Sequence, residues 1–277
     1  MVARVTGALM RAFLVSMLVA TPALLMPPQA GNATEIVLLI AILAATLTFI
    51  EYTTTYPSLV EFRDAPPINR LRFFSLFFTA FFVTVIFNNV VAPTSLSAVV
   101  DRLGDMIGRA LDFPFSPVHL AILMLPPDAT GLMVDLTRSA AGLAYVTSLV
   151  TIGVFFIIVR LTGWPANTGV FNVWINLPLF DPTTGGDVIL RLQRDARVNI
   201  VFGALAPFLL PALVTIASTM TGPLMSSNPN VIIWVLSAWA FLPASMIIRG
   251  IAMVRIAELI EDKRRRTYAS AEDMQTA

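Results

Sequence analysis

The stretch Phe73–Ala92, FFSLFFTAFFVTVIFNNVVA, decides how the rest of the chain is read. It runs for about twenty residues without a charge. At the helical rise this length covers about 30 Å, one hydrocarbon core. Arg63, Arg70 and Arg72 stand before it, and Asp101 and Asp105 follow it. Basic residues concentrate on the cytoplasmic side of membrane proteins, so this span is expected to start inside and end outside. The other apolar runs then fall into alternation.

Composition points the same way. Of 277 residues, 57% are hydrophobic and 13% charged, and the mean hydropathy is +0.80. Soluble domains carry roughly 25% charged residues. The net charge of +1 carries no argument about acidic or basic partners, because the charges are segregated along the chain. No nucleic-acid partner is expected. Seventeen of the eighteen basic residues are Arg, with Lys263 the exception; this reads as the usage of a GC-rich bacterial genome. The absence of Cys excludes disulfides, thiolate metal sites and cysteine nucleophiles. A single imidazole, His119, excludes a multi-histidine metal or haem site within this chain.

The expected fold is an all-α polytopic bundle, a single integral membrane domain over residues 1–277 with both termini cytoplasmic. Spans are expected at about 5–26, 35–54, 73–92, 139–161, 200–220 and 231–251. In the first, Arg4 and Arg11 precede a short apolar run. Residues 1–30 are therefore either a cleaved signal peptide or a retained helix in which Arg11 snorkels. Pro28 spoils the candidate cleavage site near Ala30, which favours retention. Ala41, Ala44 and Ala45 suit close helix contact in the second span, and Ala140, Ala144 and Ser148 do so in the fourth. Tyr52 and Tyr56 fit an interfacial aromatic belt, while Pro66 and Pro67 break any helix between the second and third spans. Pro207 and Pro211 are expected to kink the fifth span. The sixth contains Pro243 and continues through Arg255 and Glu258 into a cytoplasmic tail, 252–277, frayed beyond Thr267.

The outer loop, 93–138, is the largest connection. Leu96, Val99, Val100, Leu103, Met106, Ile107 and Leu111 recur at helical spacing, opposite Asp101, Arg102, Asp105 and Arg109. An amphipathic helix is expected, lying on the outer leaflet or packing on the bundle or a partner. The run Phe115–Asp128 is too short to span and can dip inward only where protein shields its backbone. With this topology, inner segments hold 15 Lys and Arg and outer segments 3, namely Arg102, Arg109 and Arg138.

Motifs for chemistry are scarce. Gly185 and Gly186 form a turn pair without the Lys-Ser/Thr of a phosphate loop, and Asp181 and Asp187 flank it. His119 is a candidate axial ligand for a pigment or haem, weighed against an ordinary interfacial His. No cofactor or metal is expected. Polar residues at membrane depth normally mark a transport path; the candidates are Glu51, Asn88, Asn89 and Arg249. Glu51 is expected to pair with Arg70 or Arg72, and Arg249 to snorkel. Trp164, Phe171, Trp174 and Phe180 look interfacial, and Leu96, Leu103, Met106, Trp164 and Trp174 are candidate partner-facing residues.

The function these features suggest is that of a non-catalytic accessory, assembly or scaffolding subunit in the bacterial inner membrane. Its partners are the lipid bilayer and other membrane-protein subunits or itself. The alternative is a small-molecule or ion permease using the proline-kinked fifth and sixth spans. An intramembrane enzyme would need acids or imidazoles gathered at one membrane face, and the sequence offers no such group.

Overall fold

The structure, a computed structural model, describes residues 2–26, 33–165, 172–180, 185–222 and 228–276. Nine helices follow one another among them: α1 (Val2–Leu25), α2 (Ala33–Thr53), α3 (Ile68–Asn88), α4 (Ser95–Leu111), α5 (Pro117–Ile122), α6 (Gly131–Thr162), α7 (Val173–Asn176), α8 (Val188–Thr221) and α9 (Pro229–Thr276). Helix makes up 81% of the described residues, and no strand occurs among them. Six helices, α1, α2, α3, α6, α8 and α9, are long and apolar enough to cross a membrane.

Local chemistry sets the ends. Thr94 and Ser97 form a capping box at the start of α4. Ser116, Thr130 and Asp187 accept from backbone N–H groups at the starts of α5, α6 and α8. Several boundaries differ from expectation: α6 starts at Gly131 and not at 139, and α8 at Val188 and not at 200. The third span starts at Ile68, not near Phe73, and stops at Asn88, not Ala92. Pro67 sits at its N-cap, where a missing N–H costs nothing, so Arg70 and Arg72 join the first turns. The chain after Thr267, expected to fray, continues α9 to Thr276.

The bundle has an arginine-rich end, carrying Arg63, Arg72, Arg249 and Arg255, and a far end with α4 and α5. Helices α3, α6 and α9 meet at the centre. In the far half they enclose Val83, Ile86, Ala140, Ala144, Leu236 and Trp239, with Val118, Ala121 and Met124 from α5 and the turn after it. One side of the Phe115–Asp128 run is therefore covered by protein while Phe115 and Leu123 stay exposed, and the Thr215 hydroxyl of α8 donates to Leu123 O at 3.2 Å. A second cluster at the arginine-rich end gathers Phe62, Ile68, Phe155, Trp164, Leu192, Ile248 and Met253. The stripe Ala140, Ala144 and Ser148 faces inward, and the Ser148 hydroxyl donates to Ala240 O at 2.8 Å.

Helix α4 packs on the bundle through its small residues. Its buried face is Ser97, Val100, Gly104 and Gly108, not the leucine-rich stripe. A Cβ built on Gly108 would lie 2.6 Å from Arg138 O, and one on Gly142 2.6 Å from the Gly108 Cα. Two glycines thus let α4 and α6 touch backbone to backbone. The leucine ridge is turned outward.

Candidate functional site

The loops between α2 and α3 and between α6 and α8 lie against each other at the arginine-rich end. The Phe62 N–H donates to Asn176 O at 2.7 Å, and the Asp64 N–H to Asn176 Oδ1 at 3.0 Å. Phe62 adopts a φ of 54°, a conformation that bulky residues rarely take. Its ring is fully enclosed beside Trp164, and that burial holds it there. Trp164 in turn donates Nε1–H to Pro66 O at 2.9 Å and is 2% exposed. The sequence suggested a partner-facing role for this indole, but the structure places it, with Phe180, in the core. Trp174 belongs to α7; its side chain, like Phe171 and Asp181, lies outside the described residues.

Glu51 pairs with neither Arg70 nor Arg72. Its carboxylate accepts the N–H groups of Ser58 (3.0 Å), Leu59 (3.0 Å) and Val60 (3.1 Å), and the Ser58 hydroxyl at 2.6 Å. Successive backbone N–H groups of this kind form an anion-binding nest. Arg63, nearly enclosed, donates to Glu51 O and Thr54 O at 2.9 and 2.8 Å, and Arg4 reaches Tyr52 O and Thr54 O. Both guanidiniums satisfy carbonyls at the C-terminus of α2, where positive charge complements the helix dipole. Glu51 is therefore the anchor of the following loop.

Arg249 does not snorkel. It makes a two-point ion pair with Glu61, Nε to Oε2 at 2.6 Å and Nη2 to Oε1 at 2.8 Å, with the Glu61 side chain 7% exposed. Arg72 stands within electrostatic reach of both partners and donates Nη2–H to Ser245 O at 3.3 Å. Sequence reasoning missed Glu61, because its partner lies 188 residues away and no local spacing joins them.

In the first half of α3 three buried atoms lack a hydrogen-bond partner among the described residues: Arg72 Nε, Ser75 Oγ and Thr79 Oγ1. Their spacing places them on one helix face. That face continues as Val83 and Ile86, both wholly buried, so the polar stripe stops about halfway along the helix. At the far end the Asn88 Oδ1 is again buried without a partner. Asn89 instead ties α3 to α4, donating to Asp101 at 3.2 Å and accepting from the Ser97 hydroxyl at 2.7 Å.

One proline-freed carbonyl is also taken up. Pro211 has no N–H for the carbonyl four residues earlier, that of Pro207. The Trp239 indole donates to that oxygen at 3.0 Å, so α9 takes up what α8 leaves open.

The far end holds a second ionic group. Arg138 Nε donates to Asp112 Oδ2, and His119 Nδ1 faces Asp112 Oδ1, both at 2.7 Å. Arg138 also pairs with Asp135. Burial alone would raise the pKa of Asp112. The hydrogen bonds from Arg138 and His119 outweigh it and hold the carboxyl below its ordinary range. With Nδ1 engaged, only Nε2 of His119 is left to meet a ligand. Asp112 and Arg138 carry no signal in the sequence beyond being charged.

Two further features complete the surface. Leu96, Val99, Leu103 and Met106 of α4 stand 58%, 55%, 46% and 62% exposed. Their three-four-three spacing is that of a helix–helix seam. Three cavities of about 280, 500 and 460 Å³ open at the arginine-rich end. None of the three is lined by Glu51, Asn88 or Arg249. Comparison with known protein families, with curated proteins and with solved structures gives no match to this chain.

Proposed function

We propose that this chain is a non-catalytic, multi-pass subunit of a bacterial inner-membrane complex, an accessory or scaffolding component with its arginine-rich end in the cytoplasm. The observation that supports it most is the halted polar stripe of α3. A permease needs polar groups along its path through the bilayer. Here they give way to Val83 and Ile86, while Glu51, Glu61 and Arg249 are bound to fixed internal partners. The proline-freed carbonyl of a broken-helix site is likewise occupied. What the molecule does offer is the α4 ridge, held rigidly on α6 by the glycine contact and suited to another helix. Arginine segregation supports the orientation.

The permease reading draws its own support from Arg72 Nε, Ser75 Oγ and Thr79 Oγ1, which are buried without a hydrogen-bond partner among the described residues. Two measurements separate the readings. In the first, the full chain is reconstituted in liposomes holding a pH-sensitive dye, and an imposed potassium diffusion potential should drive no proton flux. A flux abolished by Arg72→Gln would move the assignment to the permease. In the second, a photo-crosslinking residue at Met106 in native membranes should give one discrete adduct with a membrane protein or a second copy. The same probe at Leu205, exposed on α8, should give none. Equal labelling at both positions, or none at Met106, would overturn the subunit reading.

A further inference from the structure

Beyond that reading, we infer a binding site for an anionic phospholipid in the cleft between α1, α2 and α3 at the arginine-rich end. The cleft has a volume of about 460 Å³ and is graded from polar to apolar. Its mouth carries Arg11 of α1, Tyr52 of α2, and Asn69 and Arg70 of α3. Deeper in the bundle it is walled by Leu14 and Val15 and by Phe73 and Phe74. On both helices the arginine is followed three and four residues later by these apolar side chains. One turn separates the two levels on a shared face, so charge and oil are matched across the gap.

The cations at the mouth are available. Arg70 is exposed and has no ion-pair or hydrogen-bond partner among the described residues. Arg11 gives one N–H to Gly7 O at 2.8 Å and lies over the Tyr52 ring at 4.6 Å, which fixes its plane. A guanidinium has five donors, so most of its fork is left for an anion. The adjoining cavity, about 500 Å³, shares Arg11, Tyr52 and Arg63 and adds Arg4. Asp64 is the acid lining it, 3.5 Å from Arg63 Nε. Positive charge dominates both.

Phosphate oxygens suit two guanidiniums at one level. Free phosphate would leave the apolar half of the cleft unfilled, whereas a phospholipid fills it with acyl chain. A zwitterionic headgroup brings its own cation toward Arg11 and Arg70, which disfavours it.

The test uses the full chain in mild detergent, with bound lipid counted by native mass spectrometry. Phosphatidylglycerol should be retained, and phosphatidylcholine with the same acyl chains should not. Inorganic phosphate at equal concentration should not compete. Arg70→Gln should weaken retention about fivefold, the effect of one cationic contact at a membrane surface. Arg194→Gln makes the same charge change at a largely exposed residue that lines none of the three cavities, and should leave retention unchanged. Equal retention of the two lipids would overturn the site. So would equal losses in the two variants, or displacement by inorganic phosphate alone.

Discussion

Helices α2 and α9 contain stretches of the same mean hydropathy, yet 11% of that stretch is buried in α2 and 50% in α9. Hydropathy records only that both can lie in lipid. What separates them is the kind of residue between the large apolar ones. On α9, Ser237, Ala240, Ala244 and Ala252 form a low face, and Gly250 lies so close to α8 that a Cβ there would meet Ala196 O at 2.8 Å. Close backbone approach gives α9 contacts with lengths of α3, α6 and α8 that α2 cannot reach. On α2 the sides are Ile36, Leu38, Leu39, Ile40, Leu43 and Leu47, all exposed, with Ala41 tucked inward. Lipid tails are as apolar as leucine, so nothing draws those side chains inward. Helix α2 packs mainly along α1 and is tied at its C-terminal end by Glu51, Arg63 and Arg4, whereas α9 packs along α3, α6 and α8.

The strongest way to break this contrast is through the charge that α9 buries. Arg249→Ala leaves Glu61 enclosed without its partner, and should cost about 3–5 kcal/mol in unfolding measured in detergent. Replacing both residues together by Met should cost much less, because no uncompensated charge remains. If the single and double variants lose equally, the pair is not the tie that it looks.

Next comes a matched pair of truncations. Leu236→Ala on α9, at a wholly buried site, should cost about 2–5 kcal/mol in the same assay. Leu39→Ala on α2, 67% exposed, should stay within about 0.5 kcal/mol. A large loss at Leu39 would show that α2 is covered by protein in the detergent particle, through self-association. The contrast would then vanish.

How much of this was legible beforehand follows from the range of each interaction. Long apolar helices are a local requirement of peptide groups in hydrocarbon, so six of them could be read from runs of residues. The inward stripe Ala140, Ala144 and Ser148 is local too. Amphipathicity alone left open whether the leucine ridge of α4 meets the bundle, a partner or lipid, and the structure turns it outward. The Gly104-x-x-x-Gly108 spacing is visible in the chain and lets a smaller face approach more closely. Glu51 was matched to the wrong groups because its true partners are backbone N–H groups, which no residue type announces. Glu61 with Arg249, and Asp112 with Arg138, join elements distant in sequence and become visible only once α9 and α6 are in place. Positive charge at the two ends could be counted; its pairing could not.

The smallest effect sharpens the contrast from a third side, where α5 and the end of α4 meet α6 through ions. Asp112 has a folded pKa below its unfolded value, which lies near about 3.9. The unfolded chain therefore takes up its proton first as pH falls. The stabilisation is complete above pH of about 4 and is lost as pH drops through the folded value. Asp112→Asn should cost about 1.5 kcal/mol at pH 7, one charge-assisted hydrogen bond, in detergent unfolding. The gap between wild type and variant should close on titration below pH 4, because the wild-type carboxyl is then neutral as well. The packing of α9 on α8 rests mainly on backbone contact and apolar area, with one exposed ion pair between Arg264 and Asp187 at 3.0 Å. It should follow that titration only weakly. An Asp112→Asn gap that stays constant to pH 3 would mean that shape, and not charge, holds the far end together, and α4 would then belong with α9 as an element fixed by packing.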